Sequence, residues 1–387
     1  MTHSKMKIDL VSDLTSIDKD QWNKLNKTNH PFTSYEFLTA LELSKSVCQN
    51  TGWIPKHIVI KDDKNMLIGA LPNYLKMHSY GEYIFDHSWA NAYENAGGQY
   101  YPKLISAIPF TPATGPRFLI SDDHLEKNKI FNLIVNTLQT IIIDNNLSSV
   151  HINFITSDVS EKLASKDWIE RKGLQFHWHN NDYKSFDDFL DKLKSTKRKA
   201  IKKERKKISD SEVKIERISG NNLNHEIWNS FYQFYLNTVD KKWGSSYLTK
   251  EFFYLINESM NNKIMLVIAS KNNEIIAAAL NFIGHNTLYG RNWGSLIDIP
   301  FLHFELCYYQ AIEFAIENNI KTVEAGAQGH HKIQRGYVAT STYSSHFIQN
   351  KSFSEAVKNF VKIEAKEINK QIEIINKQGS PYSNQLN

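Results

Sequence analysis

Residues 58–75, IVIKDDKNMLIGALPNYL, have a counterpart further along the chain in residues 266–283, LVIASKNNEIIAAALNFI. Each segment has an apolar run, a polar turn and a second apolar run, which is the pattern of a β-hairpin. The segments align without a gap, and these pairs are identical: Val59 and Val267, Ile60 and Ile268, Asn65 and Asn273, Ile68 and Ile276, Ala70 and Ala278, Asn73 and Asn281. The match predicts a duplicated unit.

A second match follows in the same order. Residues 133–154, LIVNTLQTIIIDNNLSSVHINF, align with residues 306–327, LCYYQAIEFAIENNIKTVEAGA. Each segment predicts an amphipathic helix, an acid, an Asn-Asn turn and a strand that begins at Val. Two matches in one order favour duplication over a chance likeness between amphipathic segments. The predicted unit is hairpin, further strand, helix and strand, with the helix as an α/β crossover.

The positions of the repeats divide the chain. We predict a first domain over residues 1–180, with a long polar and glycine-rich insert at about 76–130. A basic helix over 181–210 is predicted to link it to a second domain over 211–370, and residues 371–387 are predicted to be a polar tail.

The composition is that of a soluble globular protein, with 387 residues, of which 41% are hydrophobic and 22% charged. A net charge of +5 does not by itself indicate a nucleic-acid partner. Cys48 and Cys307 form no CxxC motif, so neither a disulfide framework nor a cysteine zinc site is predicted. The polar start has no apolar signal segment, and no stretch is long enough to span a bilayer. We therefore expect a cytoplasmic protein without integral membrane contact.

The order hairpin, third strand, long helix and short strand resembles the GNAT acyltransferase fold. Two such units joined through a basic helix resemble the Fem-type aminoacyltransferases of peptidoglycan synthesis. More closely, the chain resembles the FemAB-like peptidoglycan biosynthesis/recognition family of N-acyltransferases over about residues 30–365. The segments that carry the resemblance are HPFTSYEFLTALE (30–42), SYGEYIFDHSWANAYENAGGQYYPKL (79–104), PFTPATGPR (109–117), LYGRNWGS (288–295), PFLHFELCYYQAI (300–312) and EAGAQGHHKIQRGY (324–337). The resemblance implies an α/β fold of two GNAT-like units in tandem, with mixed sheets and flanking helices.

The donor is predicted from one motif. GNAT enzymes that bind coenzyme A carry Arg/Gln-x-x-Gly-x-Gly/Ala before a helix whose backbone N–H groups hold the pyrophosphate. Residues 291–298, RNWGSLID, have Arg291 and Gly294 but place Leu296 at the last small position. The GNAT resemblance implies acyl-CoA as the donor, and the Fem-type resemblance implies aminoacyl-tRNA, because Fem-type enzymes use charged tRNA. We expect acetyl-CoA to bind weakly or not at all.

The loop EAGAQGHHKIQRGY, residues 324–337, follows a predicted strand and has no apolar period. Open α/β sheets place their sites at strand ends beside a crossover, so Glu324 is predicted to be catalytic, with a salt bridge as the alternative. The glycines let the backbone approach an anion, so His331, Lys332 and Arg335 are predicted to bind phosphate or carboxylate. A solvated loop is the alternative there. Zinc is not expected, because no third ligand is suitably spaced.

His303 and Glu305 begin the helix of the second repeat. The helix dipole accounts for Glu305, whereas His303 is a catalytic candidate, with a capping or core histidine as the alternative. The family has Gly-Glu-His-Lys where this chain has Gly-His-His-Lys at 329–332, so His330 replaces the acid or that acid's role is absent. His303, Glu324 and His331 are thus the predicted catalytic residues. Together with the substrate ligands Arg291 and Lys332, they are predicted to converge on one cleft.

The insert of the first repeat mixes aromatic rings with charged side chains. That mixture suits a sugar or peptide acceptor, with an aromatic mini-core under a long loop as the alternative. The predicted acceptor ligands are Asp86, Tyr93, Glu94, Tyr101 and Lys103. Arg117, which follows TPATGP, is predicted to bind an anion.

The run from Lys192 to Lys207 contains ten Lys or Arg residues and one Glu. A charged helix face is the ordinary interpretation of such a run. Its density favours an anionic partner, which would be tRNA, a nucleotide-linked precursor or an anionic membrane surface.

Three functions follow from these features. The leading hypothesis is an N-acyl or aminoacyl transferase that acts on an amine-bearing acceptor such as a cell-wall precursor. The second is a catalytically inactive GNAT-like module that recognises glycan or peptide, which the incomplete coenzyme A motif favours. The third, a nucleic-acid-binding protein, rests on the basic run alone.

Overall fold

The computed structural model describes residues 6–122, 126–242, 246–326 and 329–383. Their strands are β1 Lys7–Val11, β2 Trp53–Pro55, β3 His57–Lys61, β4 Leu67–Leu71, β5 Tyr74–Lys76, β6 Lys103–Ser106, β7 Leu119–Ile120, β8 Ser149–Ile155, β9 Ile169–His179, β10 Lys214–Ser219, β11 Ile264–Lys271, β12 Glu274–Ile283, β13 Thr287–Ser295, β14 Thr322–Glu324 and β15 Val338–Ile348. Their α-helices are α1 Lys19–Leu25, α2 Tyr35–Leu43, α3 His87–Asn95, α4 Lys127–Asp144, α5 Ser157–Ala164, α6 Phe186–Lys192, α7 Ser195–Ser209, α8 His225–Lys242, α9 Lys250–Met260, α10 Leu302–Phe304, α11 Gln310–Glu317 and α12 Lys351–Lys377. Among these residues, no helix combines the length and apolarity needed to cross a membrane.

The chain forms two compact units, and each consists of two separate segments. The first unit comprises Met1–Gly173 and Thr342–Ile368, and the second comprises Leu174–Ser341 and Asn369–Asn387. The predicted second domain, 211–370, differs from this division because residues 343–348 of β15 pair antiparallel with β8 and so belong to the first unit. Similarly, residues 177–179 of β9 lie in the second unit, since they pair with β14.

The second unit has the predicted order of elements. Its sheet runs β10-β11-β12-β13-β14-β9, and β11 and β12 form the predicted hairpin. Strand β13 lies parallel to β14, and the connection between them is α10, a π-helical turn over Glu305–Tyr309, and α11. This helix buries Leu306, Ala311, Ile312 and Ala315 against the sheet, as its apolar period predicts.

The first unit repeats this strand order with one interruption. Its hairpin runs over β2 and β3 on one side and β4 and β5 on the other, in a single register from Trp53↔Lys76 to Ile58↔Leu71. Pro72 breaks the second side, because proline has no N–H to donate to a ladder. In the gapless alignment of the repeats it stands where the second unit has Leu280, which pairs with Leu266.

The rest of the first sheet corresponds strand for strand. β6 lies parallel to β8 as β13 lies parallel to β14, and β15 pairs antiparallel with β8 as β9 pairs with β14. The predicted common strand order of the two repeats is therefore found. The helix α4 forms the crossover and buries Ile130, Ile134 and Leu138.

The insert leaves the first sheet at a defined point. Strand β13 carries an irregularity where its pairing with β12 shifts between Ala279 and Asn281. At the corresponding place in the first unit, residues 107–118 separate β6, which pairs with β5, from β7, which pairs with β4. The segment PFTPATGPR thus occupies the position that a short bulge occupies in the second unit.

Two predicted segments differ in detail. The predicted helix over 181–210 is two helices, α6 and α7, because Leu193 between them is buried and bridges to Tyr382. The predicted polar tail is partly structural: α12 continues to Lys377, and the Tyr382 hydroxyl donates to the Gly336 carbonyl at 2.7 Å. Residues 384–387 of that tail lie outside the described part of the chain.

Candidate active site

The strands β13 and β14 separate at the start of the predicted catalytic loop. Their parallel pairing ends at Tyr289↔Glu324, and β13 then continues beside β12 alone. The chain after Glu324 turns at Gly326, with φ of 79°, and at Gly329, with φ of 121°, where a side chain would be strained. Ala327 and Gln328 lie outside the described residues. A strand end beside a crossover thus opens onto this loop, as the sequence predicts.

Lys332 is the most buried cation of the loop. Residues His330–Arg335 form a 3-10 helix that leaves the Lys332 side chain 1% exposed, with its ammonium donating to the Gly326 carbonyl at 2.9 Å. Burial lowers the pKa of Lys332 to about 8, which Cys307 opposes and the Arg291 charge reinforces. A lysine in this state can give or take a proton near neutral pH. Lys332, Ile333 and Arg335 are thus packed, whereas His330, His331 and Gln334 are exposed, so the alternative of a solvated loop describes only one side of it.

Glu324 lies directly opposite His177, a residue that the sequence analysis did not single out. The two are register partners in the antiparallel pair of β14 and β9, so their side chains lie on the same face. His177 is 6% exposed, and its Nε2 lies 3.2 Å from Gln175 Oε1. Burial, assisted by His179 and Lys332, lowers the pKa of His177 to about 3, so this ring is neutral at physiological pH. The charge of Lys332 acts on His177, so these two buried side chains lie near each other, and Glu324 is the register partner of His177 on β14.

His331 lies on the exposed side of the loop. Its Nε2 is 2.7 Å from the Tyr308 hydroxyl, and its ring centroid is 5.9 Å from that of His303. His303 also stands against Trp293, with ring centroids 4.9 Å apart. Tyr308 belongs to the π-helical turn, and such turns occur frequently at functional sites. The structure thus brings His303 and His331 together through aromatic contacts.

Arg335 was predicted to bind an anionic substrate, but in the structure it has an internal partner. Its Nη2 lies 2.8 Å and 3.0 Å from the two carboxylate oxygens of Glu204 on α7, and its guanidinium lies 3.4 Å from the centroid of Phe304. Glu305, explained earlier by the helix dipole, is 3% exposed and pairs with Arg205 at 3.0 Å. Both acids pair with arginines, of which Arg335 is buried and Arg205 partly exposed, so Arg335 has a structural explanation.

In the first unit, the predicted acceptor ligands Asp86 and Lys103 form a buried network with Glu82 and Ser79. Lys103 donates to Glu82 and to Ser79 at 2.9 Å each, and also to Asp86. The Tyr101 hydroxyl lies 2.7 Å from that of Ser79. Lys103, Glu82 and Asp86 are each at most 2% exposed. These side chains thus form one internal hydrogen-bond network within the insert, although one oxygen each of Glu82 and Asp86 has no hydrogen-bond partner in the described part of the chain.

The remaining predicted ligands are placed differently. The Tyr93 ring packs against Phe353 with centroids 4.7 Å apart, and Glu94 is exposed on α3. Arg117 is 1% exposed and donates to the carbonyl of Ala113 at 2.8 Å, within its own loop. Tyr93 and Arg117 therefore support the alternative of a packed insert, whereas Glu94 faces solvent.

The first unit has a polar pair at the position that Glu324 and His177 occupy in the second. His151 on β8 is the register partner of His346 on β15, with their Nδ1 atoms 2.6 Å apart. Both rings are fully buried, and burial lowers the pKa of His151 to about 3. One neutral ring can donate to the other, with Ser149 Oγ 2.8 Å from His151 Nε2. In the first unit this position holds a fully buried pair of histidines, His151 and His346. In the second unit it holds Glu324 and His177, next to the loop that follows β14.

The helix α7 presents lysines to solvent. Among the described residues, the cations of α7 that form ion pairs are Arg198, Lys202 and Arg205. Lys199, Lys203 and Lys206 are exposed and have no such pair within that part of the chain. They are spaced by three and four residues, so they share one face of the helix. This lysine face, Lys199, Lys203 and Lys206, is a surface suited to an anion.

Comparison with known proteins places this architecture. A family model described as peptidoglycan biosynthesis/recognition matches residues 13–384. No curated protein matches the sequence. The crystal structure of FemX is 10% identical, with a TM-score of 0.56 over 88% of this chain and 98% of that chain. L-PGS from Bacillus licheniformis is 9% identical, with a TM-score of 0.50 over 86% and 98% of the two chains.

A third similar structure is the C-terminal domain of a putative lysylphosphatidylglycerol synthetase from Agrobacterium fabrum. It is 7% identical, with a TM-score of 0.56 over 89% of this chain and 95% of that chain. At these identities the likeness shows the fold, which is a mixed α/β fold of two GNAT-like units.

Proposed function

The chain belongs to the FemAB-like peptidoglycan biosynthesis/recognition family, and from this premise we propose that it transfers an aminoacyl or acyl group to an amine-bearing acceptor. The observation that carries the proposal is Lys332, a buried lysine whose pKa of about 8 suits proton transfer near neutrality. Its ammonium is held at Gly326, just after the point where β13 and β14 separate, and its charge acts on the buried His177, the register partner of Glu324.

In the proposed reaction, the acceptor amine loses a proton and its nitrogen attacks the carbonyl carbon of the donor ester. The bond from that carbon to the leaving oxygen then breaks. Neutral Lys332 accepts the proton from the amine, and the ammonium so formed returns it to the leaving oxygen. Arg291, whose charge acts on Lys332, stabilises the oxyanion, and Glu324 binds the incoming amine. The chain thus ends the cycle unchanged.

Aminoacyl-tRNA is the donor that we propose. FemX and L-PGS share the fold, and the Fem-type resemblance implies charged tRNA. The lysine face of α7 supplies exposed charge for a polyanion in the same unit as Lys332. The acceptor is a cell-wall precursor or another amine-bearing molecule, and we locate its reactive amine at Glu324.

The decisive experiment incubates the purified chain with tRNA charged with radioactive amino acids and a panel of amine acceptors that includes nucleotide-linked muropeptides. Transfer of label to an acceptor supports the proposal. Binding of a muropeptide or glycan without transfer from charged tRNA or any acyl-CoA would instead support the inactive recognition module, which the incomplete coenzyme A motif favours.

Acetyl-CoA is expected not to bind with micromolar affinity. Leu296 stands at the small position of the motif and is 56% exposed, and the carboxylate of Glu305 lies in the first turns of the helix that would hold the pyrophosphate. Isothermal titration calorimetry with acetyl-CoA checks this, with palmitoyl-CoA as a second donor class. Micromolar binding of acetyl-CoA would restore an ordinary acetyltransferase.

Replacing the lysine face with acids is expected to weaken tRNA binding strongly. Lysines that neutralise phosphates contribute both to the affinity for tRNA and to its dependence on salt. K199E/K203E/K206E should therefore bind tRNA at least about 100-fold more weakly at low salt. Its plot of log Kd against log salt should also have a smaller slope than that of the wild type. Filter binding with charged tRNA measures both quantities. The control K214E/K250E removes two lysines of the same unit outside α7. Equal effects in both variants would show a general charge effect.

A further inference from the structure

Glu204 connects the basic helix α7 to the loop that carries Lys332. It lies in the turn of α7 between the buried residues Ile201 and Ile208, so it belongs to the inner side of the helix. It is also the one acid within a run of ten cations from Lys192 to Lys207. Every other charged residue of the run is Lys or Arg, so Glu204 is an isolated acid on the inner side of a cationic helix.

The carboxylate of Glu204 is engaged by two elements of the site. Both of its oxygens bind Arg335 Nη2, at 2.8 Å and 3.0 Å, and the Tyr309 hydroxyl donates to Oε2. The Glu204 side chain is 15% exposed and that of Arg335 is 7% exposed, so solvent screens this pair only weakly. Glu204 therefore joins the loop to the π-helical turn that contains Tyr309.

Arg335 transmits this contact to the loop backbone. Its Nη1 donates to the carbonyl of His331 at 2.8 Å, which closes the 3-10 helix from its C-terminal end. Lys332 is the residue next to that carbonyl, and its ammonium is held at Gly326 on the other side. The loop is also held by Lys332 at the Gly326 carbonyl and by the Tyr382 hydroxyl at the Gly336 carbonyl, and Arg335 is the contact that joins it to α7.

We propose that Glu204 is a positioning residue for the reaction: through Arg335 it holds the loop so that Lys332 stays buried at the strand end. This inference rests on the proposed function for its catalytic part only. Without the Glu204 carboxylate, Arg335 is a buried cation that has lost its principal partner. We expect Arg335 then to turn towards water and the loop to leave its packed conformation.

The test is Glu204→Gln, which keeps the size of the side chain and removes its charge. Amide hydrogen exchange of residues 329–337, measured by mass spectrometry, is expected to become at least about 10-fold faster, since the variant cannot form the charge-assisted contact between the carboxylate and Arg335 Nη2. In the transfer assay we expect kcat to fall at least about 10-fold with the KM for charged tRNA changed by less than about 3-fold. The more conservative Tyr309→Phe, which removes one bond to the same carboxylate, should give intermediate values for exchange and kcat.

A matched control is Glu317→Gln. Glu317 makes a bidentate pair with Arg217 at 2.8 Å and 2.9 Å in the same unit, and Arg217 packs on Phe314. This variant should leave both the exchange of 329–337 and kcat unchanged. Should Glu204→Gln fold poorly, Tyr309→Phe carries the test alone.

The outcomes separate the two proposals. Unchanged loop exchange in Glu204→Gln and Tyr309→Phe would overturn the positioning role even if the wild-type chain transfers aminoacyl groups. Faster exchange with unchanged kcat would also overturn it, because loosening the loop would then have no effect on the reaction. If the wild-type chain transfers nothing, the proposed function fails, whereas the exchange measurement still decides whether Glu204 holds the loop.

Discussion

Lys332→Met is expected to abolish transfer while leaving the chain at least as stable as the wild type at pH 7. Removing a proton acceptor costs about 100-fold to 10,000-fold in rate where general base catalysis operates. Methionine fills nearly the same buried space and carries no charge, so it removes the desolvation cost that lowers the pKa of Lys332 to about 8. A buried lysine that reduces stability and is nevertheless held just beyond a strand end is typical of a functional residue.

The difference in stability between Lys332→Met and the wild type should depend on pH in a definite direction. Because the folded pKa of about 8 is below the ordinary value of 10.5, the unfolded chain binds more protons between these two pH values. Wild-type stability should therefore gain from this lysine as pH rises from about 8 to 10.5, by an amount of order 3 kcal/mol. Lys332→Met lacks that gain. Its advantage should be largest below pH 8 and should shrink towards pH 10.

The measurements are urea unfolding at pH 7, 9 and 10, and kcat in the transfer assay. Lys321→Met is the control, because Lys321 is an exposed lysine that pairs with Asp182 and stands just before β14. It should change neither quantity appreciably. If Lys332→Met unfolds far more readily at pH 7 and the remaining folded fraction transfers normally, Lys332 is a structural residue.

The duplicated hairpins could be predicted because their pattern is local. Alternating apolar residues around an Asn-containing turn specify a hairpin wherever they occur, and both hairpins formed as predicted. The identity of Asn73 and Asn281 also has a local cause. Each side-chain amide donates across the hairpin, to the carbonyl of Lys56 at 3.1 Å and of Met265 at 3.3 Å. A duplicated structural bond accounts for the duplicated residue.

The membership of the site could be predicted only in part. Glu324, Lys332 and the glycines belong to one short segment of the sequence, and His303 was singled out from its place at the start of the helix that precedes that segment. His177 was missed because its position beside Glu324 depends on which distant strand pairs with β14. A histidine at the matching register position of both units, His346 in the first, would have been a usable signal.

The contact partners of charged side chains were the hardest to predict, because the sequence does not show which distant residue a long side chain will contact. Arg335 and Asp86 are residue types that bind ligands in one setting and form buried ion pairs in another. The run around α7 contained the missing information in Glu204, the single acid among its cations. An isolated charge of opposite sign within a dense run is thus a more specific signal for an internal contact than the run itself is for a partner.

Gly294→Ala is expected to be the most destabilising of the glycine substitutions in the second unit. A Cβ built on Gly294 would overlap the backbone carbonyl of Phe234 on α8, which packs directly on β13. Backbone atoms cannot move aside as a side chain can, so α8 must shift away from the sheet, at a cost of about 3 kcal/mol or more. Gly290 is the matched control on the same strand. Its added Cβ would lie 3.3 Å from Asn281 Oδ1 and 3.5 Å from Ala325 Cα, contacts that small movements can relieve.

Urea unfolding of both variants checks the difference, with a cost of about 1 kcal/mol or less expected for Gly290→Ala. The comparison also decides how to interpret the incomplete coenzyme A motif. If helix packing explains Gly294, its replacement unfolds the unit whether or not a donor is present. If Gly294→Ala instead folds with wild-type stability and weakens the binding of a CoA ester, the glycine belongs to a donor site. The motif would then be a working one despite Leu296, and acyl-CoA would replace charged tRNA as the donor that we propose.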